Sequence, residues 1–196
     1  MKKLLVSALT LFLVSIAYCQ QSELAHFNKQ RERISNTGVN VLGSYAVINI
    51  ITGAIAFGNS TGSTKYFHEM NAIWNGVTLG IVAIGKLARR KSKGLNYLSS
   101  LQAQHKAEKL FLFNAGLDVA YIAGGAYLYE KSKSSNSKAD RFKGYGQSIM
   151  LQGAVLLVFD GIMYTIHKRH GKALNKIPGN MQVMFTGNGL GLQVTL

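Results

Sequence analysis

The sequence predicts an all-α membrane protein: a four-helix transmembrane bundle, preceded by an interfacial N-terminal helix and followed by a short C-terminal β-hairpin-like tail. Three observations carry that expectation. The 196-residue chain is 47% hydrophobic but only 15% charged, with 21 Gly and a single Pro, a mixture that soluble domains rarely show. Its charges are segregated, so that uncharged stretches alternate with Lys/Arg clusters. Four of the uncharged stretches are long enough, at about 1.5 Å of rise per residue, to approach a hydrocarbon core of about 30 Å. A water-soluble bundle of the same helices would need a charged outer face on each of them, and these segments supply almost none.

Residues 1–19 follow the secretory plan, with Lys2 and Lys3, an apolar stretch from Leu4 to Ala17, and Ala17-Tyr18-Cys19 before Gln20. Cleavage is expected before Gln20. The rival reading is a lipoprotein acylated on Cys19, and bulky Tyr18 argues against it, because lipidation favours a small residue before the cysteine. After ordinary cleavage no cysteine remains, so disulfide and thiol chemistry drop out.

Residues 20–37 are expected to form an interfacial amphipathic segment. "SELAHFNKQRERIS" places Leu24, Phe27 and Ile34 near one helical face, with Lys29, Arg31 and Arg33 elsewhere. A four-span membrane domain over 38–167 follows, with spans at about 38–58, 67–88, 110–129 and 145–166. The second reaches full length only if Lys86 snorkels to the headgroups. "KLARRKSKGLNYLSSLQAQHKAEK" reads as the longest and most basic connection, and "EKSKSSNSKADRFKG" as a polar turn breaking near Asn136. In the extramembrane tail, 168–196, "MQVMF" and "LGLQVTL" flank Thr186-Gly187-Asn188-Gly189, a hairpin pattern. "ITGAIAFG" and "IAGGAYLY", closing the first and third spans, are similar as two copies of one hairpin would be, but Gly/Ala-rich spans resemble each other easily and the match is thin.

Orientation is where two rules conflict. A cleaved signal leaves the mature N-terminus outside the cytoplasm, and four spans return the C-terminus to the same side. Yet the N-terminal segment, central loop and tail on that side hold three, seven and four basic residues, against one and five in the two opposite loops. That is the reverse of the positive-inside bias. A bacterial inner membrane is the expected location, with an outer membrane, where the rule does not govern, as the alternative.

Asp118 lies in the middle of the third span. A charge at a helix centre costs about 2.5 to 3.5 kcal/mol on insertion scales, so such a residue is a functional candidate by default. Counting from the basic side, Asp118 lies roughly 12 Å deep and Asp160 roughly 9 Å. Asn49 and Asn75 lie somewhat deeper, and Ser44 and Thr78 nearer the aspartates, so all four spans offer polar groups to adjoining layers. Two readings compete. In one, Asp118 and Asp160 form a proton or cation site. In the other, the polar groups hydrogen-bond to one another, glue the helices together and fix their register. Lys86, at the end of the second span, is a possible charge partner for Asp160.

Gly43, Gly76, Gly80, Gly124 and Gly125 are expected at close helix contacts, with Gly76 and Gly80 at the close-packing spacing. His167 and His170, three apart beside His105, could reach a common metal or haem, but juxtamembrane histidines next to Lys168 and Arg169 are more simply interfacial. No metal or other cofactor is expected. No HExxH, GxSxG, P-loop or paired CxxC occurs, which argues against an enzyme. The net charge of +14 sits in loops without aromatic interleaving, which fits a bilayer with anionic headgroups as partner and no nucleic acid. The functional expectation is a non-enzymatic structural or accessory role in a bacterial envelope complex, with an envelope protein as possible partner. A small proton- or cation-coupled transporter using the paired aspartates is the alternative.

"YFHEMNAIWN", "LFNAGLDVAYIAGG", "GYGQSIMLQGAVLLVFD" and "FTGNGLG" together resemble an uncharacterised family of small bacterial proteins with a signal peptide and four spans. The resemblance covers nearly the whole mature chain and implies that architecture. The family has no assigned activity, so it implies no mechanism.

Overall fold

The computed structural model describes residues 2–87, 95–177, 181–186 and 189–194, with side-chain surroundings between 21 and 177. Four α-helices carry the architecture: α1 (Lys2–Gly58), α2 (Gly62–Leu87), α3 (Tyr97–Ser132) and α4 (Ala139–Gly171). A 3-10 turn (Leu174–Lys176) follows, then strands β1 (Met181–Thr186) and β2 (Gly189–Val194), paired antiparallel with Met181 opposite Val194.

Among the described residues three helical stretches, Gln21–Gly58, Tyr97–Ser132 and Ala139–Lys176, are long and apolar enough to cross a membrane. Three of the four expected spans meet that measure and α2 does not, because it interrupts its apolar run with Asn71, Trp74, Asn75 and Thr78 and ends at Lys86-Leu87. The separate interfacial helix is also corrected. Residues 20–37 continue into the first span as one helix without a break at Gly38. The central connection is shorter than expected, since α3 already starts at Tyr97. Its N-terminus is capped by Asn96, whose Oδ1 accepts the Ser99 N–H at 2.8 Å and satisfies one of the orphan donors of the first turn.

The chain divides into two compact units. One comprises Ser35–Arg90 and Glu108–Thr165. In it, α1 and α2 are joined through Asn59–Thr61, and Gly62 takes φ +58°, a left-handed conformation that glycine adopts without cost. Close helix crossings rest on small residues. A methyl on Gly146 would stand 2.6 Å from the Gly125 carbonyl oxygen, and one on Gly125 would stand 2.7 Å from that of Gly146, so α3 and α4 touch backbone to backbone. Gly153 meets the Asp118 carbonyl, Gly144 the backbone of Ser63 and Phe67 on α2, and Gly53 the Ala72 and His68 positions. Gly43 faces Val82, as expected of a close contact, but Gly76, Gly80 and Gly124 have nothing within 4 Å. Spacing alone identified a pair of glycines on the outer face of α2.

The turn end of this unit carries cations over aromatic rings. Lys65 Nζ lies 4.8 Å from the Phe57 ring centre, Arg141 5.1 Å from Tyr145, and Lys131 5.2 Å from Phe142. Aromatic and basic side chains in such a belt suit the level of lipid headgroups. Beyond α3, Lys133 pairs with Glu130 at 2.7 Å, and that contact holds its ammonium above the usual pKa.

The second unit comprises Met1–Ile34, Lys91–Ala107 and Ile166–Leu196. Its core is Leu24, Phe27 and Leu174, with Tyr97, Leu101 and Ile177 packed around them. The apolar face expected to meet lipid therefore buries Leu24 and Phe27 against protein. Phe27 also stacks on His170 with ring centres 4.3 Å apart, and a ring nitrogen of His170 lies 3.1 Å from the Phe27 carbonyl oxygen. Asn28 donates to Ser100 Oγ at 2.8 Å, and Arg31 to the Ser100 carbonyl at 3.2 Å.

Candidate functional site in the bundle interior

In the unit formed by Ser35–Arg90 and Glu108–Thr165, α2, α3 and α4 bury several polar side chains and leave many of their large apolar ones exposed. The contrast is plainest on α2. Asn71, Asn75, Thr78 and Val82, spaced four, three and four apart, are buried. Ile73, Val77, Ile81 and Ile84, on another face, are 53–67% exposed. On α3, Asp118 is 3% exposed while Phe113 is 67%. On α4, Ser148, Gln152 and Asp160 are buried while Val158 and Ile162 are more than half exposed. In water this distribution would leave many large apolar side chains solvated and many polar ones desolvated.

Inside, the amides close a ring across three helices. The Tyr45 hydroxyl (α1) donates to Gln152 Oε1 (α4) at 3.0 Å, and Gln152 Nε2 donates to Asn71 Oδ1 (α2). Asn71 Nδ2 donates to Asn49 Oδ1 (α1) at 3.2 Å, and Asn49 Nδ2 returns to the Tyr45 carbonyl at 2.9 Å. Asn75, fully buried, donates to the Asn71 carbonyl at 2.8 Å. Thr78 donates to the Trp74 carbonyl at 3.1 Å. Deprived of water, each of these groups needs such a partner.

The carboxyl of Asp118 on α3 lies against that of Asp160 on α4, and both residues are buried. Two carboxyls so placed can hydrogen-bond only by sharing a proton, because a carboxylate has no hydrogen to donate. The second oxygen of Asp118, Oδ2, is buried without a hydrogen-bond partner, as are Asn75 Oδ1 and Ser148 Oγ.

The structure thus brings Asn49 and Asn75 into one network and joins Asp118 to Asp160, with Thr78 buried on the inner face of α2. It does not bring in Ser44 or Lys86. Ser44 is exposed and lines an open groove between α1 and α2, together with Asn40 and Lys86. Asp160 takes its contact from Asp118 rather than from Lys86. Ser44, one position from Tyr45, is turned by about 100° around the helix and faces elsewhere. Gln152 and Tyr45 are members of the network that the sequence reading missed. An amide at the centre of "SIMLQGAVLLVFD" costs burial as an aspartate does and could have been found by the same reasoning. Tyr45 gives no comparable signal. Among the described residues no group of three potential metal ligands occurs, and His105 is exposed.

The chain belongs to a family of unknown function, DUF6992, which it matches over residues 41–161. Tyr45, Asn49, Asn71, Asn75, Asp118, Gln152 and Asp160 all fall within that match, whereas Asn28, Arg31, His167 and His170 fall outside it. No curated protein and no solved structure matches the chain.

Proposed function

We propose that this chain is an integral membrane protein of the bacterial envelope, delivered by a cleaved signal peptide, with a non-enzymatic structural or accessory role. In this reading α2 lies in the bilayer beside α1, α3 and α4, with Ile73, Val77, Ile81 and Ile84 turned to lipid. The observation that carries the structural role is the amide ring. Tyr45, Gln152, Asn71 and Asn49 use their hydrogen bonds on one another, which fixes helix register and leaves those groups little capacity for a substrate. The basic loops and tail would engage anionic headgroups and an envelope protein, with the inner membrane as the favoured site.

One observation favours a second reading, a proton- or cation-coupled transporter: Asp118 lies against Asp160 while its own Oδ2 stays buried and unpartnered. Asp118→Asn and Asp160→Asn separate the two. The structural reading expects both variants to fold in mild detergent, to co-purify with the same companion protein as the parent, and to behave like it in proteoliposomes under a pH gradient. Variants that assemble normally but lose a proton uptake shown by the parent overturn it in favour of coupling.

A further inference from the structure

We propose that the open groove between α1 and α2 holds one anionic phospholipid, phosphate at the Lys86 end and an acyl chain along the apolar end; this rests on the membrane reading above. The groove encloses about 550 Å³, within the range of about 300–1,000 Å³ typical of small-ligand clefts. Its polarity runs lengthwise. A methyl on Gly43 would stand 3.2 Å from Val82, which fixes the register of the two antiparallel helices. Asn40 lies three residues before Gly43 and Lys86 four after Val82, so both fall at one end. Val47, Ile48 and Leu79 lie at the other.

The floor between them is low because Gly43 and Ser44 are small, and Val47 and Ile48 are 42% and 60% exposed along it. An amide and an ammonium above an apolar trough match a headgroup phosphate above a hydrocarbon chain. The charge at the polar end is available. Lys86 is exposed, and among the described residues no acidic side chain forms an ion pair with it. The sequence continues with Arg89, Arg90, Lys91 and Lys93, adding positive charge next to it in the chain. Net positive charge selects an anionic over a zwitterionic headgroup.

Native mass spectrometry of the full chain, purified in mild detergent and offered phosphatidylglycerol or phosphatidylcholine, tests this. The parent should retain one phosphatidylglycerol in preference to phosphatidylcholine. Lys86→Gln should weaken retention about fivefold, the contribution of one basic residue near an anionic surface. Ser44→Trp, which fills the trough from an exposed position, should lose both lipids, and Lys131→Gln at the turn end should change nothing. Equal retention of the two lipids by the parent overturns the proposal, and so does undiminished phosphatidylglycerol retention in Lys86→Gln and Ser44→Trp. Conversion of a dimer to a monomer by Ser44→Trp with lipid retention unaltered also overturns it, by making the groove an interface between copies. Alkaline carbonate extraction distinguishes the two levels: a chain released from membranes defeats the membrane reading, while a retained chain without lipid selectivity defeats only this site.

Discussion

Gln152 is the side chain on which the interior turns, because it accepts from Tyr45 on α1 and donates to Asn71 on α2. Replacing it by Leu removes the acceptor of the Tyr45 hydroxyl and one of the two donors to the Asn71 amide oxygen, which keeps Asn75 Nδ2 at 3.3 Å. Hydrogen bonds between membrane helices average about 0.6 kcal/mol each, up to about 1.7, so the loss should be about 1–3 kcal/mol, read from unfolding in mixed micelles. A cycle with Asn71→Ala should show the two changes to be less than additive, and additive losses would mean that the ring does not act as a unit. The aspartates make a different prediction. A carboxyl that keeps its proton within a membrane reacts with hydrophobic carbodiimides, so at neutral pH Asp118 or Asp160 should be modified, and Asp160→Asn should change the extent of labelling at Asp118. Absence of labelling at both residues, with exposed Glu130 as a comparison, would contradict a shared proton.

Helix crossings depend on which glycines face a neighbour. Gly146→Ala must push α4 away from the Gly125 carbonyl oxygen and should cost about 1–3 kcal/mol in the same unfolding assay. Gly76→Ala and Gly80→Ala, with open space beside them, should leave stability unchanged to within about 0.5 kcal/mol. Equal effects at the two places would mean that the contacts between α3 and α4 have been misread. The same contrast shows what sequence could and could not reveal. The long uncharged runs of α1, α3 and α4 are visible as apolar length, and the α3–α4 turn as a Ser/Lys-rich break. Depth along each run also follows from counting, which is why Asp118 and Asp160 could be matched before any coordinates. Rotation about the helix axis does not follow, since nearly every residue in these spans is apolar or small and the pattern carries little phase information. Ser44, Lys86, Gly76 and Gly80 were misassigned for that reason, and Gly144, Gly146 and Gly153 escaped notice.

Across the bundle the central feature is the inversion of polarity between inside and outside. Buried amides and carboxyls on α2, α3 and α4, with part-buried Asn49 on α1, lie inside, while Ile55, Ile81, Ile84, Phe113 and Val158 stand more than 60% exposed. In the proposed membrane reading lipid accounts for both halves: it solvates the outer face at no cost and withholds water from the inner groups, which forces them to pair. α2 is the sharpest test, because it is the helix whose apolar length is least and whose two faces differ most. It also carries Trp74, the single tryptophan of the chain, partly exposed and packed edge-on against Tyr121 at 4.7 Å. The most direct measurement is therefore the fluorescence of Trp74 in vesicles containing phospholipids with brominated acyl chains. Strong quenching by the bromines, with little effect of aqueous iodide, is the predicted result. Quenching by iodide with none by the brominated chains would place α2 in water and contradict the account.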